Sequence, residues 1–162
     1  MESNTENLEI EMIDRFVDLQ EKKVLEIGCG EGRMSKLLAQ KSGRFIGIDP
    51  DEKSIEKAKS EIPNIAFRVG NGEALEFEDA SFPVIFFTLS LHHHENSHLA
   101  LKEAQRVLSK EGRLIILEPV ADCELTQFYS LFDNETERLL DTLHVIETSD
   151  FEIDQRETVK GT

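Results

Sequence analysis

The 162-residue chain is poor in basic residues: 18 Lys and Arg stand against 33 Asp and Glu, a formal charge of −15. Such a charge repels the phosphate backbone that dominates nucleic-acid affinity, so DNA and RNA substrates are disfavoured. Cysteine is nearly absent. Cys29 and Cys123 lie far apart and form no CxxC pair, which speaks against a disulfide framework or a thiol redox motif and fits a reducing cytoplasm. Long apolar runs are missing too. The longest strongly apolar stretch, Phe82 to Leu91, contains Pro83 and falls far short of the ~20 residues that cross a bilayer. Met1 to Gln20 has no basic n-region or continuous apolar run, so no signal peptide and no membrane insertion are expected. Repeats, low-complexity tracts and Pro/Gly/Ser-rich linkers are also lacking. A single domain over 1–162 is therefore expected, with a leading helix in 1–20, a core in 21–120 and a terminal helix and strand in 121–162.

Against these absences stands a regular alternation of short apolar runs and amphipathic segments. Leu8 to Val17 carries apolar residues at helical spacing and reads as the leading helix. Lys23 to Gly28 is a short strand whose glycines pass into a helix over Met34 to Ala39, ending near Ser42-Gly43. The pattern repeats as strand Phe45–Ile48, helix Lys53–Lys59 and strand Ile65–Val69. Beyond a polar loop come strand Val84–Phe87, helix Leu99–Leu108 and strand Leu114–Leu117. Apolar, β-branched runs separated by helices predict parallel strands covered on both faces. The expected class is α/β, a doubly wound, mainly parallel Rossmann-like sheet. After Pro119 the pattern thins to a helix over Glu135–Ile146 and a strand around Phe151 to Thr158, so the last strand of such a sheet is missing.

In an open parallel sheet ligands bind beyond the carboxyl ends of the strands, which gives weight to the loops found there. Gly28, Gly30 and Gly32 remove side chains where the backbone must turn sharply and approach a ligand. The helix that follows them offers free N–H groups. Asp49, about twenty residues further on, stands where an acid accepts bonds from ribose hydroxyls. Taken singly, each glycine also suits a tight turn, and Asp49 also suits a helix N-cap. NAD and S-adenosylmethionine (AdoMet) enzymes share this spacing. A dinucleotide GxGxxG/A fingerprint needs Gly or Ala at position 33, but Arg33 stands there and the glycines read GxGxG, preceded by Glu26.

Four blocks stand in order: Glu26-Ile27-Gly28-Cys29-Gly30-Glu31-Gly32, Gly47-Ile48-Asp49-Pro50, Gly70-Asn71-Gly72-Glu73-Ala74-Leu75, and Arg106 through Gly112 to Leu114. Together, over roughly residues 20 to 120, they resemble the class I AdoMet-dependent methyltransferases, especially the domain-11 and ubiquinone/menaquinone-biosynthesis-like group. The resemblance implies an enzyme that moves a methyl group from AdoMet to a small-molecule acceptor, leaving S-adenosylhomocysteine (AdoHcy). It implies that Gly28, Cys29, Gly30 and Gly32 pack against the methionine and ribose portion, with Glu26 near the amino-acid end. Asp49 would bind the ribose hydroxyls, with Pro50 beside it. Asn71 replaces the usual Asp next to the adenine and is followed by Gly72 and Glu73. Leu89 and Ser90 would face the methionine part or the approach to the methyl group.

Methyl transfer from a sulfonium is an in-line displacement, so the protein mainly aligns the partners and supplies a base where the nucleophile holds a proton. No triad is needed and none is present. The base candidate is His93 in Leu91-His92-His93-His94, although a histidine there more commonly bonds loop backbone or lines the cofactor site without moving protons. His94-Glu95-Asn96-Ser97-His98 also matches HExxH. That zinc motif needs both histidines on one helix. Asn96 and Ser97 instead look like caps opening the next helix, so no metal is expected. Two features depart from the family pattern. Pro83 replaces an Asp at the start of the fourth strand, where proline cannot donate to a ladder, and the sheet ends early. The short ending suggests a truncated piece of a longer chain, an exposed edge covered by a partner, such as a homodimer, or a non-catalytic AdoMet-binding relative. Asp122 to Asn134 holds Leu125, Phe128, Tyr129, Leu131 and Phe132, a candidate apolar lid or an ordinary packing helix.

Overall fold

The computed structural model describes residues 4–119 and 135–157. Five parallel strands lie in the order β3-β2-β1-β4-β5. They are β1 (Lys23–Ile27), β2 (Arg44–Asp49), β3 (Ala66–Val69), β4 (Phe82–Thr88) and β5 (Leu108–Leu117). Helices α1 (Asn4–Phe16), α2 (Ser35–Lys41), α3 (Glu52–Glu61), α4 (Ser97–Val107) and α5 (Glu135–Glu147) cover the faces. The strand order reverses between β1 and β4, and this switch point opens the crevice where ligands of such sheets bind.

Side chains alternate across β1 and β4 and are buried on both faces, which explains why both strands read as largely apolar runs, with Glu26 the buried exception in β1. Val24, Val84 and Phe86 join Met12 and Ile13 of α1, Val17 just beyond it and Leu38 of α2 in one core. Leu25, Ile27, Ile85 and Phe87 face the other way and pack with Leu101, Ala104 and Val107 of α4. Phe86 and Phe87 are fully buried, so truncating either to alanine removes about 3–5 kcal/mol.

The caps sit where short polar side chains precede helices. Asp51 opens α3 by accepting from the Ser54 N–H at 3.1 Å, and Asn96 opens α4 by accepting from the Leu99 N–H at 3.1 Å. Asp49 is therefore not the cap of α3.

Pro83 proves compatible with its strand for a geometric reason. Phe82 pairs with Leu108, but Val84 pairs with Arg113, so β5 carries extra residues opposite Pro83. The missing N–H falls at this irregularity, where proline is tolerated. β5 accordingly begins at Leu108 rather than at the expected Leu114.

The expected strand around Phe151 to Thr158 does not form across its described part. The stretch has no ladder partner. It is held through side chains: Phe151 packs into the α4 side of the core, Asp154 pairs with Arg113 at 2.7 Å, and Glu157 pairs with Arg15 at 3.0 Å. The alternation at Phe151 and Ile153 misleads because Ile153 stays half exposed. The candidate lid, Asp122 to Asn134, lies outside the described residues, as does Cys123.

Candidate active site at the crest of the sheet

The loop leaving β1 is built for close approach. Gly28, Gly30 and Gly32 have φ of +77°, +55° and +91°, left-handed values that L side chains adopt only under strain. Their roles differ. A Cβ on Gly28 would stand 2.3 Å from Cβ of Ser90, and one on Gly32 would stand 2.7 Å from Cδ1 of Ile62. At Gly30 a Cβ would meet nothing within 4 Å. Gly28 and Gly32 therefore permit packing, whereas Gly30 leaves backbone open to a ligand.

Asp49 holds this loop. Its Oδ2 accepts from the Gly30 N–H and its Oδ1 from the Asp51 N–H, both at 2.9 Å. A carboxylate has about four lone-pair sites, so two remain for hydroxyl donors. The Gly28 and Cys29 N–H groups both donate to the Ile48 carbonyl, fixing the loop against β2. The Cys29 side chain packs with Ile55, Ala58 and Phe67, so only its backbone borders the cradle. Burial, reinforced by the Glu26 and Asp49 charges, pushes its thiol well up and keeps it protonated. Pro50 is exposed beside Asp49.

Glu26 is fully buried beneath the loop. It accepts hydrogen bonds from the Ser35 hydroxyl and from Oγ1 of Thr88, the latter at 2.5 Å. Loss of hydration raises its pKa to about 7, against the lowering effect of both hydroxyls and Arg33. Ser35 and Thr88 escaped the sequence reading because a hydroxyl in a helix or strand carries no positional signal of its own.

The β4 exit completes the crest. Leu89 adopts φ +57°, unusual for a branched side chain, and its N–H donates to the Leu117 carbonyl at 2.8 Å. This turn brings Ser90 over Gly28, where its hydroxyl donates to the Ile27 carbonyl at 2.6 Å. Asn71 closes a turn of its own, its Oδ1 accepting from the Glu73 N–H at 2.9 Å, so part of its acceptor capacity is already used. Glu73 turns toward α4, accepting from the Asn96 N–H at 2.6 Å. Gly72 is buried, and a Cβ there would stand 2.4 Å from Nε2 of His94.

The histidines separate clearly. His93, the expected base, is exposed, its ring lying 4.0 Å from that of His92. His92 is buried, its Nδ1 2.5 Å from Oε2 of Glu118, while its N–H donates to Oε1 at 3.3 Å. Glu118 follows β5 directly, a loop position that the strand-end rule could have flagged. His94 lies beyond the short 3-10 turn Leu91–His93, and His98 sits in the first turn of α4. They do not share a helix as HExxH requires. Among the described residues no group of three or more His, Cys, Asp or Glu is arranged to hold a metal ion.

One structural knot ties this site together. The Arg106 guanidinium donates to the Leu75 and Phe77 carbonyls at 2.8 Å and pairs with Glu103 and Asp79. Glu103 in turn accepts from the Leu75 N–H at 2.7 Å. The Arg106 block is thus a clamp on the β3–β4 loop.

The methyltransferase domain family matches residues 18–156, and the chain belongs to this family. It is 32% identical over 136 residues to the uncharacterized methyltransferase YcgJ of Bacillus subtilis, covering 80% of this chain and 52% of that protein. A demethylmenaquinone methyltransferase of Thermotoga maritima is 30% identical over 109 residues, covering 66% and 48%. The chain thus spans about half the length of the curated relatives it matches. The crystal structure of B. subtilis YcgJ superposes with a TM-score of 0.74 at 24% identity, covering 87% of this chain and 67% of that one. A SAM-dependent methyltransferase from Aquifex aeolicus gives 0.76 at 17% identity, covering 90% and 80%, a likeness of fold. The methyl donor of this family is AdoMet. The residues present are compatible with it: the backbone at Gly30 is open, and Asp49 keeps acceptor sites for hydroxyl donors.

Proposed function

We propose that this chain transfers the methyl group of AdoMet to a small-molecule acceptor in the cytoplasm. The observation that carries the reading is the paired geometry of Gly30 and Asp49: left-handed backbone open to a ligand, held by a carboxylate with acceptor sites to spare. Gly28, Cys29, Gly30 and Gly32 would hold the methionine and ribose portion, Asp49 and Pro50 the sugar side, and Asn71, Gly72 and Glu73 would border the adenine. Leu89 and Ser90 would flank the methyl group, with Glu26 buried behind the amino-acid end. AdoMet supplies an activated methyl; the residues position, exclude water and receive a proton. The bulge at Pro83 relieves one reason to prefer a non-catalytic relative. A second copy covering the outer edge of β5 belongs to the same reading, and sedimentation reads it directly.

The test is thermal. AdoHcy at a hundred times its Kd stabilises the folded protein by about 2.7 kcal/mol and raises the melting temperature. No shift at millimolar AdoHcy would remove the cofactor assignment. Binding without transfer to amines, phenols or thiols would make the chain a non-catalytic AdoMet binder.

A further inference from the structure

A second concave region adjoins the cradle. A cavity of about 270 Å³ opens between the start of α4 and α5, with His92, His94, Glu95, Asp141 and Thr142 among its walls. It lies just under the ~300–1,000 Å³ of drug-sized sites, so it suits a molecule of one ring or less. Its lining stays polar even where water is excluded: His92 and Thr142 are each 3% exposed.

Two properties define its ligand. The first is charge. Among the described residues neither Glu95 nor Asp141 has an ion-pair partner; Arg138 opposes them, within a chain of net charge −15. The balance favours a cation. The second is a fixed lone pair. Nδ1 of His94 lies 3.1 and 3.2 Å from the carbonyl oxygens of Ser90 and Leu91. Carbonyls only accept, so Nδ1 carries the proton of the neutral ring and Nε2 carries the lone pair. His94 also packs on Gly72, so it stands where cavity and cradle meet.

We propose that this cavity is the acceptor site, that the acceptor is a small amine entering as its ammonium ion, and that His94 is the base. The inference rests on the methyl-transfer reading. The ammonium loses one N–H proton to Nε2, and the imidazolium returns it to water. The freed nitrogen lone pair forms the N–CH3 bond, the C–S electron pair stays on sulfur, and the N-methylated ammonium ion of the acceptor and AdoHcy result. His92, Glu95, His98, Arg138 and Asp141 share the cavity with His94 and set its electrostatic surroundings.

Three probes of one shape test the proposal: phenethylamine, phenethyl alcohol and phenylacetate, titrated calorimetrically into AdoHcy-saturated protein. Phenethylamine is expected to bind roughly tenfold more tightly than either of the others, and Asp141→Asn to weaken it by about tenfold with AdoHcy affinity unchanged. His94→Gln is expected to retain amine binding but slow labelled-methyl transfer to phenethylamine by roughly a hundredfold. Equal binding of the three probes, no amine binding, or an unaffected Asp141→Asn variant overturns the acceptor assignment. A transfer rate unchanged in His94→Gln, or one lost only in step with amine binding, overturns the base. Failure of the wild type to bind AdoHcy is a separate result that removes the parent reading.

Discussion

Replacing Glu26 by glutamine should leave the fold intact and change how its stability depends on pH. An ordinary glutamate titrates near 4.5, whereas Glu26 titrates at about 7 because burial disfavours its charge. The difference corresponds to about 3 kcal/mol against ionisation. Between these two values the folded protein holds a proton that the unfolded chain has released, so stability falls as pH rises through the window. Below 4.5 the penalty is absent, and above 7 it is fully present. Glutamine can meet Ser35 and Thr88, whose hydroxyls both donate and accept, but it has no charge to lose. Urea unfolding of both proteins from pH 5 to 8 reads the effect, because the other titrating groups are common to both. The Glu26→Gln variant should gain on the wild type by up to about 3 kcal/mol across this range. Any constant offset from altered hydrogen bonding cancels, since only the slope is read. A stability difference that stays flat with pH would refute the buried, proton-holding carboxyl.

The cradle glycines should separate by function. Gly28→Ala forces a methyl into Ser90 and should cost more than about 3 kcal/mol, seen as a large fall in melting temperature. Gly30→Ala meets only backbone strain of roughly 1–2 kcal/mol, yet should weaken AdoHcy at least tenfold by filling the open face. Similar stability losses in the two variants would contradict this division. Arg106→Met strips the Leu75 and Phe77 carbonyls of their donor and should cost about 2–4 kcal/mol in urea unfolding. A loss below about 1 kcal/mol would mean that water replaces the clamp.

Most of the sheet was legible because burial on both faces writes a parallel strand as a continuous apolar run. β1 to β4 and their helices fall within a few residues of the periodicity reading. What escaped depends on partners distant in sequence. The early start of β5 follows from a bulge that only pairing with β4 creates, and that same bulge turns Pro83 from a contradiction into a fit. The Phe151 alternation looked like a strand, yet a strand exists only where a neighbour offers a ladder. In the site, Gly28, Gly30, Gly32 and Asp49 were readable because the left-handed turn after β1 demands glycine and because Asp49 stands at the end of β2. The distinction among the glycines was not, since it rests on Ser90 and Ile62 arriving from elsewhere. Likewise the histidine run pointed to His93, and only distant partners tell its members apart: Glu118 behind His92 and two carbonyls beneath His94.

The β3–β4 loop is stapled along α4: Glu73 to its N-cap Asn96, Leu75 to Glu103 in the middle, and Arg106 at the end. Loop and helix therefore form one rigid lever, with one wall of the cradle on one arm and one wall of the cavity on the other. If both proposed ligands bind, the first to order this unit would leave less entropy for the second to lose. Donor and acceptor should then strengthen each other by the same factor, an affinity coupling that needs no change of shape.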